Sequence, residues 1–210
     1  MKPSIKDRLR ETMPYTMLYA YRQRRATAAW FRAGRPVPPP HLVKQRVVKD
    51  FARKHGLSTL IETGTYYGDM IVATKGDFQQ IYSIEFDESL YRKAQWRFRN
   101  ASHVILLHGD SGQVLPSLLE EITTPALFWL DGHYSGGVTI KGSVDSPVIE
   151  ELYAVLRHPI RGHVVLIDDA REFIGRNGYP TIPDLKAMVN ERCPSASLDV
   201  EDDIIRILVK

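Results

Sequence analysis

Short apolar runs and longer amphipathic stretches alternate through most of this chain, and their periods set the expected fold. Between residues 41 and 55 the apolar positions Leu42, Val43, Val47, Val48 and Phe51 recur at a helical period, and Gly56 supplies a stop. Strands are expected next near 59–62, 80–85, 103–107, 126–131 and 163–168, separated by helices near 68–75, 88–99, 112–121, 147–157 and 181–191. Strands alternating with helices at this pitch imply an α/β fold, a mostly parallel sheet covered on both faces. The ending differs. Residues 197–200 and 204–209 have only Glu201-Asp202-Asp203 between them, too short for a parallel crossover, so they should pair as an antiparallel hairpin.

The first part of the chain lacks this alternation. Residues 4–33 read mainly as helix, begun or interrupted by Pro14, with Met13, Met17, Leu18, Tyr21, Trp30 and Phe31 set among arginines. Gly34-Arg35-Pro36-Val37-Pro38-Pro39-Pro40 must run extended, because consecutive prolines fix φ and remove donors. The expected division is a basic helical leader with its connector over residues 1–40 and one folded domain over 41–210.

Composition changes this picture in two places. With 210 residues, 43% of them hydrophobic, the chain can bury a full core. Its single Cys193 cannot form an internal disulfide, and no segment has the apolar core of a signal peptide or the length of a membrane span, so a cytoplasmic protein is expected. The net charge of +3 hides an asymmetry: residues 1–50 hold 12 Lys/Arg against 3 Asp/Glu, and the rest of the chain holds 16 against 22. Such a leader could lie on the anionic inner surface of a membrane through residues 1–35, meet an acidic partner, or be a solvated arm. No zinc-finger, helix-turn-helix or RNA-recognition pattern accompanies it, so nucleic acid is not the expected partner. A homo-oligomer is compatible with the sequence.

The candidate chemistry begins at Thr59-Leu60-Ile61-Glu62-Thr63-Gly64-Thr65-Tyr66-Tyr67-Gly68-Asp69-Met70. An apolar run that ends in an acid, crosses a glycine turn and enters a helix presents free backbone N–H groups at the carboxyl edge of a parallel sheet. Gly64 permits a positive φ at the turn, and Gly68 removes a Cβ where the helix must approach the strand or a ligand closely. Neither G-x-G-x-x-G nor the phosphate loop G-x-x-x-x-G-K-[ST] is present. An acidic strand end suits an ammonium group better than a pyrophosphate, and Glu62 should accept rather than donate hydrogen bonds. Glu85 closes the second strand 23 positions later, where a carboxylate can take both hydroxyls of a ribose. After the third strand, His108-Gly109-Asp110-Ser111 offers side chains for an adenine edge or a cap for the next helix.

Asp131 ends the fourth strand, and Asp168-Asp169 end the fifth. Neighbouring parallel strands would aim these acids into one cleft, where like charges raise one another's pKa unless a cation intervenes. A hard divalent ion such as Mg²⁺ would relieve this, and an N-cap or salt-bridge role for the pair is the alternative. Between the two sites, Gly132-His133-Tyr134-Ser135-Gly136-Gly137 opens a glycine-rich stretch to Ser146 that could close over a polar substrate.

The acid-x-Gly-x-x-x-Gly pattern at Glu62, Gly64 and Gly68 resembles the first motif of class I S-adenosylmethionine-dependent methyltransferases. Asp131 with Asp168-Asp169 narrows the resemblance to the metal-dependent O-methyltransferases of catechol and caffeoyl-coenzyme A type, which place one Asp after the fourth strand and Asp-Asn after the fifth. Asp169 stands where that family usually has Asn. The resemblance covers residues 42–210. It implies a Rossmann-like, seven-stranded, mostly parallel sheet closed by one antiparallel C-terminal strand, and S-adenosylmethionine as cofactor. The implied cofactor residues are Glu62, Gly64, Thr65, Gly68, Glu85, Asp110, Ser111 and Asp131; the implied metal ligands are Asp131, Asp168 and Asp169. The catechol enzymes carry a lysine shortly after the first metal Asp; here the candidates are His133, Tyr134 and Lys141. His133 is the better base, with an unperturbed pKa of about 6.5, although a histidine bonded to backbone in a glycine-rich loop would look the same. The Asp-Gly-His-Tyr-Ser-Gly-Gly string also looks like that of little-characterised bacterial methyltransferase-like proteins, some associated with surface glycans. The expected reaction is O-methylation of a small polar molecule or glycan, and the alternative is a non-catalytic protein of the same fold that docks through its leader. Hydroxylation would call for iron and a set of histidine ligands, and only His133 is near.

Overall fold

The structure is a computed structural model that describes residues 13–132 and 147–210. His133, Tyr134 and Lys141, and with them the glycine-rich stretch to Ser146, lie outside the described residues. The elements run α1 (Met13–Arg32), α2 (His41–His55), β1 (Thr59–Thr63), α3 (Asp69–Thr74), β2 (Gln80–Glu85), α4 (Glu88–Arg97), β3 (Val104–His108), α5 (Ser111–Leu119), β4 (Leu127–Leu130), α6 (Val148–Arg157), β5 (Val164–Ile167), α7 (Ile182–Arg192), β6 (Ser197–Glu201) and β7 (Ile204–Leu208). One short 3₁₀ turn, Ala170–Glu172, follows β5. Pro14 falls in the first turn of α1, where its missing N–H costs nothing.

The sheet has seven strands in the order β3-β2-β1-β4-β5-β7-β6. All neighbours from β3 to β5 are parallel, and β7 is antiparallel to both β5 and β6. The C-terminal hairpin expected from the short Glu201-Asp202-Asp203 link is present. Asp202 and Asp203 both adopt positive φ, 54° and 61°, as a tight two-residue hairpin turn demands. Central strands β4 and β5 are buried at every position, which explains their unbroken apolar runs.

Alternate strand residues feed two cores. Ile61, Phe128, Leu130, Val165 and Ile167 pack with Leu115, Leu152 and Leu185 of α5, α6 and α7. On the opposite face Leu60, Leu127, Trp129, Val164 and Leu166 pack with Val48, Ile71 and Ala94 of α2, α3 and α4. The helices therefore cover both faces of the sheet. The chain reverses its direction across the sheet between β1 and β4, the switch point at whose carboxyl ends open α/β sheets bind their ligands.

The leader is fastened at its end. Trp30 is buried and donates its indole N–H to the Pro36 carbonyl at 2.6 Å, while Arg35 pairs with Glu201 at 2.9 Å and with Asp202. Farther toward the N-terminus Met17, Leu18 and Tyr21 are exposed.

Candidate functional site

Strand register brings the acids together. Thr63 pairs with Leu130 and Leu130 with Ile167, so the next row holds Gly64, Asp131 and Asp168. The ladder continues into that row: the Asp131 N–H reaches the Thr63 carbonyl at 3.1 Å, and the Asp168 N–H reaches the Leu130 carbonyl at 3.0 Å. One row back, Glu62 lies beside Ser83 of β2. Glu62, Glu85 and Asp168 are all buried in this rim.

Gly64 has φ 85°, and a Cβ there would lie 2.5 Å from the Asp131 carbonyl oxygen. Its freedom lets β1 and β4 close together at the switch point. Gly68 also has positive φ, but a Cβ there would strike the Phe98 ring at 2.5 Å. The close approach expected at Gly68 is thus to a side chain at the end of α4.

Glu62 accepts a hydrogen bond from the Ser83 hydroxyl at 2.6 Å, and Thr65 Oγ1 lies 2.6 Å from the same hydroxyl. Burial pushes the Glu62 carboxyl up to about 8 against the Ser83 hydrogen bond, with the charges of Asp131, Glu85 and Asp69 adding to the shift. A carboxyl held this high takes up a proton more readily than an exposed one, while in the structure it accepts from Ser83. Glu85 accepts from the Tyr66 N–H at 2.7 Å and the Asp87 N–H at 2.9 Å, one on each oxygen. Each oxygen keeps a second lone pair, so a vicinal diol fits this carboxylate. Burial raises the Glu85 pKa, and the two backbone donors oppose the rise. Asp110 caps α5 by accepting from the Gly112 N–H at 3.0 Å, with Ser111 buried behind it. Among the described residues neither Glu62 nor Glu85 has an ion-pair partner; their bonds come from the Ser83 hydroxyl and from the Tyr66 and Asp87 N–H groups.

Two residues absent from the sequence-derived site arrive on the first turns of α2. Lys44 places its Nζ 2.5 Å from Asp168 Oδ2 and 3.1 Å from Asp169 Oδ1. Burial lowers the His41 pKa against the opposing charges of Asp69 and Asp131. Its Nδ1 lies 2.8 Å from the Gln45 amide. One signal for both was available: basic residues near a helix N-terminus oppose the macrodipole, and the first turn of α2 carries no acid to offset them.

Asp169 sits at φ 56°, ψ 50°, a left-handed conformation that Asn and Asp tolerate best. That explains why either residue can stand here. Arg171 lies 2.8 Å from Asp169 Oδ1 and also pairs with Asp203. The extra negative charge of Asp over Asn is thereby balanced. Burial and the Asp131 charge push Asp168 up to about 7 although Lys44 opposes them. Burial also works to lower the Lys44 pKa, but Asp168 and Asp169 outweigh it and the amine stays protonated.

The three acids do not fit a divalent ion in this arrangement. Asp168 Oδ1 accepts from the Asp169 N–H at 2.8 Å, its Oδ2 holds Lys44, and Asp169 Oδ1 is shared by Lys44 and Arg171. Among the described residues no group of three or more His, Cys, Asp or Glu side chains is arranged to hold a metal.

No protein-family model and no curated protein matches the chain. Solved structures do. The O-methyltransferase TomG from Streptomyces achromogenes, involved in tomaymycin synthesis and solved with S-adenosylmethionine, superposes with TM-score 0.57 at 17% identity, over 90% of this chain and 89% of that one. An O-methyltransferase from Bacillus cereus, in complex with S-adenosylhomocysteine, gives 0.58 at 14% identity over 90% of each chain. The 23S rRNA methyltransferase ErmE gives 0.51 at 15% identity, over 79% of this chain and 68% of that one. The strand order, the reversed seventh strand and these superpositions establish that the chain has the class I methyltransferase fold, close to that of the O-methyltransferases.

Proposed function

We propose that this chain is an S-adenosylmethionine-dependent O-methyltransferase acting on a small polar molecule or glycan. The observation that carries the reading is the pair of buried acids, Glu62 and Glu85, at the ends of adjacent strands beside the switch point. In this reading Glu62 receives the methionyl ammonium, Glu85 the ribose hydroxyls, and Asp110 with Ser111 the adenine edge. Gly64 and Thr65 shape the turn between them. Asp131 lies between this half of the rim and the acceptor half. The bound cofactor supplies a sulfonium methyl whose carbon bonds to an acceptor oxygen while sulfur keeps the electron pair.

The chain's own task is to hold that oxygen in line and remove its proton. We assign His133 as the base, with Tyr134 and Lys141 as supporting donors from the same stretch. Among the described residues His41, whose pKa burial lowers and which feels the charges of Asp69 and Asp131, is the second candidate. Divalent-metal assistance, the finer expectation from three acids, is opposed by the place of Lys44. Residues 41–210 form the catalytic domain in this reading and residues 1–40 an appendage.

Tritiated methyl groups on the cofactor, incubated with the protein and an extract of its host, test the reading. Label should enter a small-molecule or glycan fraction in a base-stable linkage, and Glu85→Ala should lower the yield at least tenfold. Label left wholly in the cofactor would refute it.

A second reading concerns the leader. Exposed Met17, Leu18 and Tyr21 among Arg22, Arg24 and Arg25 suit the surface of an anionic membrane. No described helix is long and apolar enough to cross one.

A further inference from the structure

Lys44 occupies the place where three converging acids lead one to expect a divalent cation. Its side chain is 13% exposed and lies between Asp168, buried, and Asp169. At the fourth position of α2 it stands at the wrong end of the helix dipole, a placement that costs roughly 0.3–1 kcal/mol. Local structure therefore gives no reason for it, whereas the carboxylate pair does. Two cations meet three acids on this half of the rim. Asp168, Asp169 and Asp203 are met by Lys44 and Arg171 through direct contacts, and Asp168 is the most deeply buried of the bonded pair.

Geometry separates the two cations. A Mg²⁺ ion binds carboxylate oxygens at roughly 2.0–2.1 Å and demands an octahedron. Here Asp168 Oδ2 and Asp169 Oδ1 are held by an ammonium, and Asp168 Oδ1 is turned to a backbone N–H. An ion could enter only by expelling Lys44 from between them. An ammonium has three N–H donors, of which Asp168 and Asp169 take two. The third is left for an acceptor oxygen, which it would orient and whose developing negative charge it would stabilise as the hydroxyl proton departs.

We propose that the Lys44 ammonium is the resident cation of this rim, standing in for a divalent metal and binding the acceptor oxygen, so that methyl transfer here requires no metal ion. The last clause rests on the methyltransferase reading; the displacement of metal by Lys44 does not.

Mn²⁺ serves as the probe, titrated into the full chain and into Lys44→Met and followed by electron paramagnetic resonance. Wild type should leave Mn²⁺ free into the millimolar range, and Lys44→Met, with Asp168 Oδ2 released and Asp169 left to Arg171, should bind it at least tenfold more tightly. Calorimetry with S-adenosylhomocysteine should give wild-type affinities in EDTA and in Mg²⁺ that agree within twofold. Should Lys44→Met fail to fold, Lys44→Met/Asp169→Asn takes its place, since it removes one acid along with the amine. Micromolar Mn²⁺ binding by wild type overturns the proposal, as does refusal of Mn²⁺ by a folded Lys44 variant. Absence of S-adenosylhomocysteine binding in both buffers would sink the transferase reading alone, because the Mn²⁺ arms need no cofactor.

Discussion

The two edges of the same sheet bury titratable groups in opposite ways. At the amino edge, beside the start of β5, the Ala126 N–H donates to His163 Nδ1 at 3.0 Å, His163 Nε2 faces His158 Nδ1 at 2.8 Å, and His158 Nε2 faces the Leu119 carbonyl at 2.9 Å. With both rings neutral and protonated on Nε2, every donor in this relay meets one acceptor. The network is closed and ties the ends of α5 and α6 to the sheet. At the carboxyl edge Glu62 and Asp168 are pushed up to about 8 and about 7 by burial, and Asp131 repels both. Closed burial is what a core does with polar groups. Burial that leaves an acid such as Glu62 with no ion-pair partner among the described residues is what a binding site does, at the expense of stability.

Removing a member of the closed relay should have the largest effect on folding. His163→Ala leaves the Ala126 N–H and His158 Nδ1 without partners and should cost about 3–4 kcal/mol in urea unfolding, with affinity for S-adenosylhomocysteine unchanged. Acid should open the same relay. Burial, followed by the His158 charge, lowers the His163 pKa to about 4, so between the unfolded value near 6.5 and about 4 the unfolded chain binds a proton that the native one refuses. Stability is fully present above pH 6.5 and falls by about 3 kcal/mol as pH drops to 4, and His163→Ala should lack this component.

The open edge should respond with the opposite sign. The folded pKa of Glu62 lies above its unfolded value, so stability is lost as pH rises from about 4.5 through 8. Glu62→Gln removes that penalty and should stabilise the cofactor-free protein at pH 7.5 while weakening S-adenosylhomocysteine binding about tenfold. A drop in melting temperature together with unchanged affinity would place Glu62 with the closed network. The smallest effect on folding belongs to the leader: replacing Arg22, Arg24 and Arg25 with Glu should shift stability by no more than about 0.5 kcal/mol and abolish co-sedimentation with anionic vesicles.

Much of this architecture is legible in the chain itself. β4 and β5 stand out because strands buried on both faces must be apolar throughout, and Glu201-Asp202-Asp203 is too short for anything but a hairpin. The rim acids are legible for the same reason, since each ends an apolar run and parallel strands share one carboxyl edge. Contacts between distant segments are not. Gly68 answers to Phe98, thirty residues away, and nothing in its own motif says so. Lys44 reads as one more basic residue of a basic segment until α2 folds over the sheet edge. Arg171, two positions after Asp169, offered the nearer clue that the pair could be balanced by side chains.

Calorimetric titration of S-adenosylhomocysteine into the metal-free full chain at pH 7, in two buffers of different ionisation enthalpy, tests the central claim most directly. An ammonium settling against Glu62 favours its ionised form, so 1:1 binding should release close to one proton, with a heat that differs between the buffers accordingly. Binding with no proton release would remove Glu62 from the cofactor site, and no heat in either buffer would contradict the account of the rim as a whole.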